Sequence, residues 1–167
     1  MMPENEERSY DTASMEGGTG QNMRRYITRM TGSGAWGRWV WQGTVLTLLG
    51  GFPTVFGSVF RARAYRSVLG SLGAGCFIER GVRWQVPRRA FLGQRVMVGE
   101  NCFVDAHSLT GRVELRDDVW LSRDCYLIAG RGAKVIIEER AYIGHRCLFY
   151  GHGGIHVGQD ALLANDV

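Results

Sequence analysis

Lysine is almost missing from this chain: of 20 cationic residues all but Lys134 are arginine, a bias to which no function attaches. Proline is scarce, with three residues against 24 glycines, which suits short extended segments joined by tight corners. None of the four cysteines, Cys76, Cys102, Cys125 and Cys147, stands in a Cys-x-x-Cys pair, so neither a zinc site nor a redox couple is expected. Each instead precedes a large apolar residue by two, which predicts four small buried thiols in one inward column. Acidic residues are absent from 17 to 78, where seven arginines stand. The basic character of the chain, net +4, therefore belongs to residues 17–78, since the first 16 residues are acidic and the chain from 79 onward is nearly balanced. A signal peptide is excluded, because no apolar stretch closely follows the acidic first residues.

Residues 1–22 are polar and aperiodic and are read as a disordered acidic tail. Residues 23–74 form a basic, tryptophan-rich segment. It contains 22 uncharged residues, Trp39 to Phe60, but Gly50, Gly51 and Pro53 divide them into halves too short to span a bilayer. The pattern predicts a helix over 36–49, a turn, and a second helix from about Pro53 to Leu72. On the second helix Phe56, Phe60, Ala64 and Val68 share a face, with Arg61, Arg63 and Arg66 mostly off it. Two roles stay open. The pair caps the first turn of a repeat that begins downstream, or its tryptophans and arginines meet an anionic membrane surface through residues 23–72. Nucleic acid is not expected, since the arginines are interleaved with apolar rather than polar, base-stacking positions.

From residue 90 the chain repeats with a period of six. Leu92, Val98 and Val104 are followed by Leu115, Leu121 and Leu127, then Ile137, Ile143 and Phe149, then Val157 and Leu163. Two residues before each stands a small or β-branched one, such as Val96, Cys102, Val119 and Ala141. Helices repeat near 3.6 and strands near 2, so a sustained six denotes a solenoid. Leu92 to Leu115 is 23 residues, Leu115 to Ile137 is 22 and Ile137 to Val157 is 20. With 18 residues to a three-sided turn, the excess falls at one corner: 106–112, 129–134 and 151–154. The coil is placed at 75–167, with Val82 to Arg89 as a detour. Stacked in register, Arg95, Asp118, Arg140 and Asp160 form one ladder and Asn101, Asp124, Arg146 and Asp166 another, and their alternating signs fix alignment.

With Leu92-Gly93, Val98-Gly99, Ile143-Gly144 and Val157-Gly158, each followed by a small residue, the sequence resembles the hexapeptide-repeat acyltransferases. These are similar to maltose, galactoside and serine O-acetyltransferases and to polysaccharide acyltransferases, whose leader segments are like Gly50-Gly51-Phe52-Pro53-Thr54, Arg61 and Tyr65-Arg66. The resemblance covers about residues 75–167 and implies a mainly β fold, a left-handed parallel β-helix behind a short N-terminal helical segment. It further implies a homotrimeric enzyme, cytoplasmic or peripheral at the inner membrane face. Such an enzyme moves an acyl group, often acetyl, from acyl-CoA to a sugar or polysaccharide-precursor hydroxyl. Acyl-CoA is then a co-substrate, with no bound cofactor and no metal.

The chemistry needs a base for the acceptor proton and a donor for the oxyanion, and histidine suits the first role. In the family the histidine follows a segment like Val157–Val167 by a few residues. The expected base therefore lies beyond Val167, and the chain is read as a fragment. Within the chain His152, in the third corner loop, and His145, facing outward, are the candidates, ahead of His156 and His107. Two other readings remain. Ile143-Gly144-His145 and His152-Gly153 are somewhat similar to the zinc motif of γ-class carbonic anhydrases, although seven residues part the histidines. A non-catalytic β-helical scaffold is the other.

Overall fold

A computed structural model describes residues 18–31, 35–52, 54–106 and 110–167. The acidic residues 1–17, Pro53 and His107 lie outside the described residues.

Three helices lead into the coil: α1 (Thr19–Thr31), α2 (Trp36–Gly50) and α3 (Thr54–Tyr65). Helix therefore starts inside the segment expected to be a disordered tail. α1 packs on α2 and buries Ile27. Gly50, Gly51 and the segment up to Thr54 separate α2 from α3, as the helix-breaking residues there require. α3 ends at Tyr65, well short of Leu72, and residues 66–68 turn the chain into the coil.

The coil is a left-handed parallel β-helix of three sheets. Sheet A runs β1 (Ser71–Leu72), β4 (Ala90–Leu92), β7 (Arg112–Leu115), β10 (Lys134–Ile137) and β13 (Ile155–Val157). Sheet B runs β2 (Phe77–Ile78), β5 (Met97–Val98), β8 (Trp120–Leu121), β11 (Tyr142–Ile143) and β14 (Leu162–Leu163). Sheet C runs β3 (Arg83–Gln85), β6 (Phe103–Asp105), β9 (Tyr126–Ala129) and β12 (Leu148–Gly151).

The register is the one the six-residue period requires. Leu92 stands on Leu115, Leu115 on Ile137 and Ile137 on Val157, while Val98, Leu121 and Ile143 stack in sheet B and Val104, Leu127 and Phe149 in sheet C. These side chains are buried, and each contributes about 1.5–3 kcal/mol by leaving water. No single centre exists, so each turn is stabilised by its neighbours.

The first turn departs from the reading of the sequence. The coil begins at Ser71 rather than 75, and the supposed detour contains the regular strand β3, with Trp84 at the aliphatic position stacked on Val104. A 3-10 turn at Pro87–Arg89, entered through Val86 at φ 52°, then takes the loop corner. The proline belongs to that corner, and the tryptophan hid the period.

The cysteines divide as well. Cys102, Cys125 and Cys147 each precede a strand of sheet C, whereas Cys76 precedes β2 and belongs with Val96, Val119 and Ala141 at the preceding corner. One residue type serves two corners because both take a small apolar side chain. Each thiol donates to a carbonyl of the next turn: Cys76 to Gly93, Cys102 to Ser122, Cys125 to Gly144 and Cys147 to Ala164, at 3.0–3.1 Å. The neighbouring Cys125 thiol, together with burial, pushes the Cys102 thiol up, and burial does the same for Cys76.

Both ladders form. Arg95, Asp118, Arg140 and Asp160 occupy the left-handed region at the corner between sheets A and B, as do Asn101, Asp124, Arg146 and Asp166 between B and C. Two-point pairs join Arg95 to Asp118, Arg140 to Asp160 and Arg146 to Asp166 at 2.6–2.8 Å. The tight corner dictates the backbone conformation, and the pairing compensates its strain.

Of the shared face, Phe56 and Phe60 of α3 point outward, while Val68 just beyond the helix is buried. Arg61 is 1 % exposed, whereas Phe56 and Phe60 are 75 % and 59 % exposed. The guanidinium donates to the carbonyls of Ile78 (2.8 Å), Leu49 (3.0 Å) and Phe52 (2.6 Å) and to Ser58 Oγ (3.1 Å), tying both helices to β2. Tyr65 meets Trp84 edge-on at 6.4 Å and, with Val68 and Leu69, extends the core over the first turn. Burial pushes the Tyr65 hydroxyl up to about 12, against the opposing pull of Arg61.

Candidate functional site

The interior of the coil is filled by side chains, so chemistry has to occur on its outer faces, which differ in character. Sheet B carries a stacked column of Phe77, Met97, Trp120, Tyr142 and Leu162. Trp120 and Tyr142 are 6.2 Å apart. Sheet C carries Arg83 over the Phe103 ring, then Tyr126 and Leu148. Sheet A is ionic. Arg112 and Arg116 both pair with the nearly buried Glu114, Arg116 also approaches Glu138 at 3.8 Å, and His156 Nε2 lies 2.9 Å from Glu138 Oε1.

The two histidines singled out from the sequence are not brought together. His145 lies at the corner after β11 and His152 at the corner after β12, so the whole of β12 separates them along the coil. The His145 amide donates to Asn165 Oδ1 at 2.8 Å, and its carbonyl accepts from the Asp166 amide at 2.9 Å. Its Nδ1 is buried with no hydrogen-bond partner among the described residues. His152 is exposed, and its ring stacks on Tyr150 at 6.1 Å with 16° between planes. It packs against Gly130 of the previous turn, where a Cβ would lie 2.7 Å from the His152 Cα. Glycine at 130 is what lets that loop settle so close.

His156 is the histidine that sequence reasoning undervalued. The register of β10 and β13 sets it on Ile136, which brings Glu138 within reach of its ring. A carboxylate on one ring nitrogen orients an imidazole, and a proton acceptor requires that fixed orientation. The signal was present in the repeat, since it fixes which residues of successive turns lie side by side. His152 and His156 flank the same loop corner, with Tyr150 on its far side, and this corner is the most histidine-rich surface described.

Among the described residues no group of three His, Cys, Asp or Glu is placed to hold a metal ion. A surface cleft of about 390 Å³ between α3 and sheet B is lined by Val55, Arg61, Phe77, Glu79, Arg80 and Glu100 among others, with no histidine among its described lining residues.

Residues 134–167 match the family model described as the hexapeptide repeat of succinyl-transferase. That match spans one full turn, β10 to β12, and strands β13 and β14 of the next. The matched residues carry the hexapeptide repeat at the C-terminal end of the β-helix. This β-helix is similar in structure to a hexapeptide-repeat-containing acetyltransferase from Vibrio cholerae O1 biovar eltor, solved in complex with acetyl coenzyme A. The likeness covers 81 % of this chain and 90 % of that one, with a TM-score of 0.50 and 14 % sequence identity. No curated protein matches the sequence significantly.

Proposed function

We propose that this β-helix is an acyltransferase that moves an acyl group from acyl-CoA to a hydroxyl of a sugar or polysaccharide precursor. The observation that carries the reading is the likeness to an acetyltransferase with acetyl coenzyme A bound, which extends over nearly all of that chain. In the reaction the acceptor oxygen attacks the thioester carbonyl, a base takes its proton, and the proton finally accompanies the departing CoA thiolate. Of the described histidines His156 is best equipped as base. With Nε2–H held by Glu138, its Nδ1 lone pair is free to accept a proton. His152, exposed at the same corner, is the second choice, and His145, with its buried nitrogen, the third. The aromatic column of sheet B and the aromatic face of sheet C are suited to pack between copies, so the assembly is read as a trimer that leaves sheet A and its histidine facing substrate.

The test is release of free CoA thiol from acetyl-CoA in the presence of sugar acceptors, with His156→Ala, His152→Ala and His145→Ala compared. Loss of the base lowers turnover about 10²-fold or more with little change in KM. Unchanged turnover in all three removes these residues as bases. No turnover by the unaltered protein with any acceptor favours a non-catalytic scaffold.

A further inference from the structure

The face that α2 and α3 turn outward has the composition of an interior. Val55, Phe56, Val59 and Phe60 of α3 are exposed, and so are Trp36, Val40, Trp41 and Leu48 of α2, with Phe52 in the connection. A soluble helix pair on a coil of this kind would bury Phe56 and Phe60 and let Arg61 reach water. The opposite arrangement is held by the hydrogen bonds of Arg61 to Ile78, Leu49 and Phe52, and by the Gly81 amide donating to the Gly50 carbonyl at 2.9 Å. The hairpin is thereby pinned flat on the first turn and cannot roll its aromatic side inward. A large apolar patch fixed outward denotes a surface that covers it.

Charge identifies the surface. Arg24, Arg38, Arg63 and Arg66 are exposed on the same helical segment, and no acidic residue occurs between 17 and 78. The arrangement is graded as well. Trp41 Nε1 donates to Ser67 Oγ at 3.2 Å, which sets the tryptophan end of α2 beside Arg63 and Arg66 at the end of α3. The opposite end exposes the apolar side chains of Leu48, Phe52, Val55 and Phe56, with Glu79, Arg80 and Glu100 of the coil bordering Val55. Tryptophan and arginine at one level with bare apolar side chains beside them is the order of groups across a lipid headgroup boundary. No helix among the described residues is long and apolar enough to cross a membrane, so the hairpin would enter the headgroup boundary without spanning the bilayer.

We infer that the outward face of α2 and α3 docks on an anionic phospholipid bilayer, holding the coil at the membrane surface. This stands independently of the acyl transfer proposed above. The test is co-sedimentation of the full chain with phosphatidylglycerol-containing vesicles and with pure phosphatidylcholine vesicles, read together with tryptophan fluorescence. Binding to the anionic vesicles with a blue shift is expected, weakening as salt rises. The double variant Phe56→Ser/Phe60→Ser and the double variant Arg63→Gln/Arg66→Gln each reduce binding about 10-fold or more, with the β-sheet circular dichroism unchanged. Absence of binding to anionic vesicles overturns the inference. So does a concentration-dependent self-association, followed by sedimentation velocity, that the phenylalanine variant abolishes while vesicle binding is unaffected; the face is then covered by a second copy of the chain.

Discussion

Replacing Arg61 by alanine tests how the hairpin is held. The guanidinium makes four hydrogen bonds, three of them to backbone carbonyls from three separate segments: Leu49 at the end of α2, Phe52 in the connection and Ile78 in β2. A hydrogen bond from a charged donor contributes about 1.5–3 kcal/mol, but these share one side chain and are not additive. Water can reach the partly buried carbonyls of Leu49 and Phe52 in the variant, whereas Ile78 O loses a buried partner. The net cost is about 3 kcal/mol. Burial lowers the pKa of Arg61 from its usual high value, and the neighbouring Tyr65 and Glu79 act in the opposite direction, so the group stays cationic and the loss is of a charged anchor. Because the coil is stabilised turn by turn, the damage stays local. Hydrogen exchange at the Gly81 amide, which donates to Gly50, should accelerate about 100-fold, with amides of β7–β12 unchanged. Arg61→Lys keeps the charge but cannot reach three carbonyls and should fall between. If the alanine variant protects Gly81 as well as the parent does, the anchoring role of Arg61 is wrong.

Three further outcomes are expected of the coil. Hydrogen bonds from Arg95, Arg140 and Arg146 hold Asp118, Asp160 and Asp166 below the usual carboxylate range, so their stabilisation is complete above the unfolded value of about 3.9 and is lost as pH falls through the lower folded values. Thermal melts between pH 7 and pH 2 should therefore show the drop below about pH 4, reduced in the Arg140→Gln variant. Cys125→Ala opens a small cavity and leaves the Gly144 carbonyl without its thiol donor, at a cost of about 1–2 kcal/mol by urea denaturation; Cys125→Ser should cost less. Gly144→Ala would place a Cβ 2.6 Å from the Ala164 carbonyl carbon in the next turn. It should cost about 2 kcal/mol or more and first raise exchange at the Gly144 amide, which bonds Leu163 O.

The aliphatic positions of sheets A, B and C, the corner that takes the extra residues, and both charge ladders were legible before any coordinates. A parallel coil places residue i directly over its counterpart in the next turn, so a one-dimensional period becomes a three-dimensional register without further information. Where the period is interrupted the sequence was misleading. Trp84 stood in place of an aliphatic residue and Pro87 looked like a break, which hid the first turn. The cysteines obeyed the same two-residue offset at two different corners and were merged into one column. Among the candidate site residues, nothing in the local sequence of His156 favoured it. Its carboxylate arrives from 18 residues earlier, through strand pairing.

The sequence by itself determined the solenoid, because identical demands recur every six residues and local pattern and global fold coincide. Only the tertiary structure decided the orientation of the helices that precede it. The spacing of Phe56 and Phe60 put them on one face and left its direction open between capping the coil and meeting a membrane; hydrogen bonds from Arg61 to three distant carbonyls hold the aromatic side out. Helical periodicity tells which residues share a face, while the direction of that face depends on partners far away in the chain.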